Sequence, residues 1–243
     1  MSIRVSSGSM LLGRTTGFLS MNGIGTRSFL AALRSDTNDY AHLYAATAEN
    51  DEIVGDYQNA DFVGIQVDGT SSYGASYIGG AGAGGGASQA LTVNSWKRHT
   101  LVRESATVLK YYVESTLIET ITQDVSTRAA MGGEWFGRLN GGYPADAAFE
   151  GFICWSVALT AGEVATQSTY LNPAVQTGNV HTYVPMTDAT LANALVAVTG
   201  ADLEVLFGTP VTDTGSGFSV FSGSSGSLIL PSTVRQHQHL LNF

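Results

Sequence analysis

The sequence predicts an all-β protein, an antiparallel β-sandwich with one short helix. Glycine accounts for 29 of the 243 residues, a high share that is typical of many short strands joined by tight turns. Hydrophobic residues make up 44% and charged residues 13% of the chain, so the chain can form a sizeable core. Segment 107–114 has the side-chain period of a strand, and 160–163 contains a helix-start signal.

The first third of the chain contains short apolar segments separated by turn residues. Residues 1–34 hold several of them, and 29–33 fits either a helical turn or a buried strand, because the run is too short for a period to decide. Segments 40–46 and 62–67 are predicted strands, the second ending at an Asp-Gly turn. Segment 79–87 contains only glycine and alanine and is predicted to be a loop.

A hairpin is predicted near the middle of the chain, from strands at 99–103 and 107–114. In the second strand Leu109, Tyr111 and Val113 share one face. This period of two is expected of a half-buried antiparallel strand.

The more apolar segment 149–155 is predicted to be a central strand. It leads to Thr160 and, three residues later, Glu163, a pair in which each side chain can bind the backbone N–H of the other. We therefore expect one helix from about 161 to 170, ended by the Asn-Pro pair at 172–173.

Charge and cysteine content exclude several classes of function. The net charge is −9, and Lys97 and Lys110 are the only lysines, so nucleic acid and anionic membrane surfaces are poor partners. Cys154 is the single cysteine, so no internal disulfide can form. The first five residues lack the pattern of a signal peptide, and no apolar run is long enough for membrane insertion. We expect synthesis in a reducing cytoplasm.

Several motifs occur in an order that resembles a known superfamily. The first two are Trp-Lys-Arg-His-Thr-Leu-Val-Arg at 96–103 and Leu-Lys-Tyr-Tyr-Val at 109–113. They are followed by Phe-Gly-Arg at 136–138, Phe-x-Gly at 149–151 and Trp-Ser-Val-Ala-Leu at 155–159. Two closing strands are predicted at 183–188 and 203–205. Together they resemble the concanavalin A-like jelly rolls, and most closely the laminin-G-like and pentraxin-like branches.

The resemblance extends over about residues 36–210. It implies a jelly-roll domain at 35–210, preceded by an N-terminal arm or first strands at 1–34 and followed by a tail at 211–243. One departure is Glu-Ser at 114–115, where the family has an Asp-Gly turn.

The resemblance does not decide between binding and catalysis, because the fold hosts both. Glucanases of this superfamily carry a Glu-x-Asp-x-(x)-Glu strand that projects carboxylates into the groove. The nearest match, Glu-Asn-Asp-Glu at 49–52, places the third carboxylate on the other face. No Gly-x-Ser-x-Gly motif occurs. We therefore predict that the chain is not an enzyme and keep glycan hydrolysis as a remote alternative.

A first candidate glycan site lies in the glycine-containing loop 132–148. Sugar sites combine aromatic rings with short polar side chains, and glycines let the backbone approach the ligand. The alternative is that the aromatic residues cover a sheet edge or form a protein contact. The candidate residues are Trp135, Arg138, Asn140, Tyr143 and Asp146.

Two further sites follow from residue types. Tyr73 and Tyr77, beside the glycine-rich segment, form a second candidate glycan site. Asp36, Asn38 and Asp39 have the oxygen-rich composition of a calcium loop, although the glycine and distal glutamate of an EF-hand are lacking. The alternative for this segment is a plain Asx-turn. Calcium is the only cofactor that the sequence suggests.

The C-terminal segment differs from the rest in composition. Residues 212–227 are rich in glycine, serine and threonine, and apolar residues follow at 228–230 and 240–243. Such residues are unfavourable in water unless covered, and a neighbouring subunit could cover them. His237 and His239 would face one way on a strand and could bind a metal around a three-fold axis, or be ordinary surface histidines.

These features together favour a non-enzymatic virion surface protein of a tailed bacteriophage, either capsid-decorating or tail-associated. The expected partners are copies of the same chain, other virion proteins and a cell-surface glycan. The expected location is the virion. The alternative is a carbohydrate-binding adhesin or receptor-binding lectin.

Overall fold

A computed structural model describes residues 2–5, 10–13, 19–38, 41–47, 61–78, 81–126, 131, 133–136, 145–187, 196–200, 202–207 and 211–213. Within these ranges the chain forms two antiparallel sheets, one α-helix and one short 3-10 turn. The predicted fold class, an antiparallel β-sandwich of the jelly-roll type, is confirmed. No helix in this part of the chain is long and apolar enough to span a membrane.

Sheet A has the strand order β11-β10-β9-β3-β13-β1-β16, and β14 also pairs with β13. Its strands are β1 (Ser2–Val5), β3 (Gly25–Leu33), β9 (Lys97–Ser105), β10 (Val108–Val113), β11 (Thr116–Thr122), β13 (Ala147–Trp155), β14 (Val180–Val184) and β16 (Val211–Asp213).

Sheet B has the strand order β15-β2-β12-β4-β5-β6-β7, and β8 also pairs with β6. Its strands are β2 (Met10–Gly13), β4 (Ala41–Thr47), β5 (Phe62–Asp68), β6 (Ser71–Ile78), β7 (Ala81–Gly84), β8 (Gln89–Ala90), β12 (Gly133–Phe136) and β15 (Leu203–Phe207).

The N-terminal residues belong to the sandwich. Segment 29–33, which fits a helical turn or a strand, is part of β3, and β3 lies between β9 and β13 with all nine residues buried. β1 pairs with β13 on one side and with β16 on the other. The division of the chain at 34/35 and 210/211 stays a prediction, but the sheets continue across both positions.

The glycine-rich segment was predicted to be a loop, and this prediction is wrong for part of it. Ala81–Gly84 forms β7, which pairs in antiparallel register with β6. Because glycine and alanine carry no apolar-polar pattern, the pairing comes from backbone hydrogen bonds that the side chains do not signal.

The predicted helix is confirmed, and it is shorter than expected. α1 spans Ala161–Gln167 and begins with the predicted capping box. The Thr160 N–H donates to Glu163 Oε2 at 2.8 Å, and the Glu163 N–H donates to Thr160 Oγ1 at 3.3 Å. The helix ends at Gln167 and Ser168 is its C-cap, so residues 168–170 lie outside it.

Aromatic side chains join the two sheets at the centre of the core. Phe136 of sheet B lies 5.3 Å from Phe29, 5.3 Å from Phe149 and 5.2 Å from Phe152 of sheet A, measured between ring centroids. The rings meet edge to face, an arrangement that aromatic quadrupoles favour. These contacts fix which side of each sheet faces inward.

A buried hydrogen-bond chain also crosses the sandwich. His99 Nδ1 on β9 lies 2.8 Å from the Tyr111 hydroxyl, which donates to Ser72 Oγ on β6 at 2.9 Å. Because the tyrosine proton is used toward Ser72, His99 Nδ1 is the donor in the first bond. Burial, and to a smaller extent the positive charges of Arg98 and Lys97, lowers the pKa of His99 to about 3.

This histidine makes the stability of the protein depend on pH. The pKa of His99 falls from 6.5 in the unfolded chain to about 3 in the folded protein, so the unfolded chain binds one more proton between these values. We expect the His99 contribution to the free energy of unfolding to be complete above pH 6.5 and to fall by about 1.4 kcal/mol per pH unit below it. An NMR titration of the folded protein checks this: His99 carbons that titrate near pH 6 would contradict it.

Gly151 lies at a β-bulge in β13 with φ of +60°, and a Cβ at this position would be 2.6 Å from Leu171 Cδ1 and 2.9 Å from the Leu171 carbonyl oxygen. We expect Gly151→Ala to lower the free energy of unfolding by on the order of 2–4 kcal/mol. Gly162, in α1, has nothing within 4 Å of a Cβ, so Gly162→Ala should raise it by about 0.5 kcal/mol. Urea unfolding of both variants measures the contrast, and equal effects would show that the bulge is not strained.

Candidate functional site

The outer face of sheet A is covered by the chain itself. Residues between β13 and β14, including α1, pack on it in a second apolar cluster around Trp155, whose Nε1–H donates to the Val175 carbonyl at 3.0 Å. Arg98 is buried on this face and donates to Ser28 Oγ and to the Tyr170 carbonyl. Burial lowers the pKa of Arg98 to about 10, against the opposite effect of nearby Glu114. The outer face of sheet A is therefore covered by packed side chains of the same chain.

The outer face of sheet B carries a different set of side chains. On β6 the even-numbered residues point inward: Ser72 accepts from the Tyr111 hydroxyl, and a Cβ at Gly74 would lie 3.0 Å from Ile121 Cδ1. Because side chains alternate along a strand, Tyr73, Ala75 and Tyr77 point outward. Both tyrosines are half-buried.

Small residues lie between the two tyrosines. Ala75 is paired with Gly64 on β5 and with Gly84 on β7, so a row of three residues without side chains beyond Cβ crosses three strands. Four residues of extended strand separate Tyr73 from Tyr77 by about 13 Å. We call these five residues the tyrosine trough, with Gly64, Ala75 and Gly84 as its floor.

The row is fixed by backbone packing. A Cβ at Gly64 would lie 2.2 Å from the Tyr44 carbonyl oxygen, and a Cβ at Gly84, whose φ is +98°, would lie 2.4 Å from the Gly74 carbonyl oxygen. Neither position can hold a larger residue without a shift of the backbone, so the floor stays low.

One wall of the trough combines polar and aromatic groups. Gln66 is paired with Tyr73 across β5 and β6, and its Nε2–H donates to His42 Nε2 at 2.7 Å. The His42 ring lies 4.6 Å from the Phe62 ring, which stacks on Tyr77 with centroids 6.2 Å apart and planes 10° from parallel. His42 is fully buried, Phe62 is 2% exposed and Gln66 is 6% exposed, so this wall is packed in the sheet. It supports the half-buried rings of Tyr73 and Tyr77, which are the groups that a ligand can contact.

Trp135, the aromatic residue of the first candidate site, lies on the same outer face, in register with Ala45 of β4. It is only 3% exposed, and its Nε1–H donates to Thr47 Oγ1 at 2.7 Å. A ring buried in this way cannot stack on a sugar unless its surroundings rearrange. Its observed contacts agree with the alternative reading, in which it covers the sheet.

Asp146, also predicted to contact a glycan, is used for an internal ion pair. Its two carboxylate oxygens accept from Arg4 Nε and Arg4 Nη2, each at 2.9 Å. The pair ties β1 to the residues that precede β13, and bidentate geometry of this kind is the strong form of the interaction.

Asn38, predicted as a calcium ligand, is a buried junction between loops. Its Nδ2 donates to the carbonyls of Ser35 at 2.9 Å and Gly69 at 3.2 Å, and its Oδ1 accepts from the Asp146 N–H at 3.3 Å. The polar atoms of the Asn38 side chain therefore have three protein partners, which agrees with the alternative of a structural turn. Asp36 is exposed.

The remaining predicted site residues lie outside the described residues, and so does the acidic segment 49–52. These residues are Arg138, Asn140 and Tyr143 of the glycan loop, and Asp39, His237 and His239 of the metal sites. In the described part of the chain, no group of three or more histidine, cysteine, aspartate or glutamate side chains is placed to hold a metal.

Sequence reasoning identified Tyr73 and Tyr77 but missed His42, Phe62 and Gln66. The signal that could have found them is the alternation Phe-x-Gly-x-Gln at 62–66, followed across the hairpin turn at 69–70 by Tyr-x-Ala-x-Tyr at 73–77. A hairpin in this register brings both sets to one face.

No protein-family model matches the chain, and no curated protein matches it in sequence. Solved structures do share its architecture. A heptameric SAP-like pentraxin from Limulus polyphemus is 12% identical with a TM-score of 0.54, over 85% of this chain and 94% of the pentraxin. The two chains share a fold. A putative carbohydrate-binding protein from Bacteroides ovatus is 13% identical with a TM-score of 0.53, over 87% of this chain and 61% of that protein.

The binding domain of Paraclostridial Mosquitocidal Protein 1 is 15% identical with a TM-score of 0.49, over 69% of this chain. This likeness is too weak to carry an argument. The chain spans 43% of the length of that domain. At these identities the likeness concerns the fold, and function has to be argued from the site.

The junction at Asn38 gives a test of the two readings of this loop. We expect Asn38→Ala to lower the free energy of unfolding by on the order of 2–4 kcal/mol, because it leaves buried backbone groups without partners. The control, Asp36→Ala, should change it by less than about 0.5 kcal/mol. Both effects should be equal in calcium and in chelator. A calcium-dependent rise in melting temperature that Asp36→Ala abolishes would establish the calcium reading instead.

Proposed function

We propose that the chain is a carbohydrate-binding, lectin-like domain and that its ligand lies in the tyrosine trough. The observation that carries this proposal is the pair of half-buried, outward-facing tyrosines on either side of a floor without side chains. Of the floor residues, Gly64 and Ala75 are buried and Gly84 is exposed, so a ligand there contacts the two rings and the backbone of Gly84.

The chemistry of the trough suits a sugar. Sugar rings have apolar C–H faces, which pack on aromatic rings, and hydroxyl groups at their edges, which need donors and acceptors. The trough offers the half-buried rings and the phenolic hydroxyls of Tyr73 and Tyr77, whereas the amide of Gln66 is buried and bonded to His42. The Bacteroides ovatus protein of similar fold is named a putative carbohydrate-binding protein; for this chain the shared fold is a supporting argument only.

Other roles predicted from the sequence stay predictions. The bacteriophage virion location and assembly with virion proteins follow from charge, composition and the C-terminal segment together. Of that segment the structure describes only Val211–Asp213 after position 210. Two further expectations also stay predictions: that the chain has no enzymatic activity, and that it associates with copies of itself. A lectin-like module can act as a cell-surface binding part of a larger assembly, so the proposals are compatible.

The trough is tested by removing each ring. We expect Tyr73→Ala and Tyr77→Ala each to weaken glycan binding by about tenfold or more, because each removes an aromatic contact worth on the order of 1–3 kcal/mol. Tyr170→Ala, a half-buried tyrosine after α1 on the side of sheet A, is the matched control and should bind as the wild type does. A glycan array identifies a ligand, and calorimetry measures the affinities.

Two results would count against the trough. If the folded wild type binds no glycan, the proposed function is wrong. If both tyrosine variants bind normally while Trp135→Phe does not, the ligand lies near β12 and the loop that follows it.

A further inference from the structure

Two arginines are buried inside the sandwich at one end of sheet A. Arg103 on β9 is 1% exposed, and Arg27 on β3 is fully buried. Arg103 comes two residues after the core residue Leu101, and Arg27 comes two residues before the core residue Phe29. Because side chains alternate along a strand, both arginines lie between the two sheets. Arginine is almost never fully buried unless its charge is paired.

The strand register brings the two arginines together. Gly25 on β3 is paired with Arg103 on β9. Arg27 Nη1 lies 3.6 Å from the place that a Cβ of Gly25 would take, so the Arg27 guanidinium lies over the residue beside Arg103. Both arginines also donate to one segment of the chain, Arg27 Nη2 to the Leu19 carbonyl and Arg103 Nε to the Met21 carbonyl at 3.0 Å. Two positive charges therefore share one end of the core.

The charge of Arg103 is not offset within the protein. Burial lowers the pKa of Arg103 to about 10, so the side chain is still protonated at neutral pH. Among the residues that the structure describes, its buried Nη2 has no hydrogen-bond partner and no carboxylate forms an ion pair with it. Arg98, on the other face of β9, differs because Glu114 and Glu150 oppose the effect of burial on its pKa. A buried charge without such an offset is strongly unfavourable.

We propose that this end of the core binds one small inorganic anion, of the size of chloride, on Arg103 Nη2. An anion accepts from the unused N–H and also offsets the charge, whereas a water molecule does only the first. The guanidinium of Arg27 adds to the positive field at the same place. Met21, whose carbonyl accepts from Arg103, is fully buried, so the occupant has to be small enough to be enclosed. This site is independent of the tyrosine trough, which lies on the outer face of sheet B.

Anion binding at Arg103 should stabilise the folded protein. The unfolded chain does not hold the two arginines together, so the anion binds the folded state preferentially and raises the melting temperature. The test is thermal unfolding of the full chain in increasing sodium chloride, with sodium gluconate keeping the ionic strength constant. We expect a rise of at least about 3 °C over a hundredfold increase in chloride. Bromide should replace chloride. A melting temperature that does not depend on chloride would overturn the proposal.

A pair of matched variants assigns the effect to Arg103. Arg103→Met removes the buried charge and keeps an unbranched side chain, so we expect the chloride response to be lost. Arg34→Met is the control, because Arg34 is half-buried beyond the other end of β3 and donates to Asn94. The control should keep the full response. A response that persists in Arg103→Met, or that Arg34→Met also abolishes, contradicts the assignment.

A crystal of the wild-type chain grown in bromide decides the question without any variant, and so also if Arg103→Met does not fold. Bromide scatters anomalously and can be located by its own signal. We expect an anomalous peak within hydrogen-bonding reach of Arg103 Nη2, inside the sandwich. Peaks on surface residues alone, or no peak at all, would show that the buried guanidinium holds no anion.

Discussion

The contact between aromatic rings from the two sheets is the constraint on which the rest of the structure depends. Phe136 meets three phenylalanines of the opposite layer, and this contact decides which face of β12, β3 and β13 is interior. Because strands pair in register, the choice spreads from one strand to the next. On β6 it places Ser72 and Gly74 inside and leaves the tyrosines outside. The proposed ligand site is thus a result of core packing by β3, β12 and β13, which are three to seven strands away from β6 in chain order.

The fold could be predicted from the sequence where a local pattern and a tertiary role agree. β10 alternates because one side faces the core, and the capping box at Thr160 is local chemistry that needs no partner. Segment 29–33 could not be decided because β3 is buried on both faces, and such a strand has no period of two. β7 could not be found, since its glycines and alanines carry no pattern at all.

The site was harder to predict because residue types do not say where a side chain is used. Asp146 and Trp135 have the chemistry of sugar ligands, but one is paired with Arg4 and the other is buried against Thr47. Tyr73 and Tyr77 were recognised from their type and their glycine-rich neighbourhood. Gln66 and His42 required the register of β4, β5 and β6, which connects residues far apart in sequence.

The three floor positions of the trough do not tolerate change equally. Gly64 and Gly84 are closed by carbonyl oxygens of neighbouring strands, whereas Ala75 already carries a methyl group that points outward between the rings. Of the three positions, only Ala75 therefore has a Cβ that the sheet already accommodates. Because Ala75 is 6% exposed, a valine or leucine there would press on the tyrosines on either side, which makes this one position decisive for the shape of the trough.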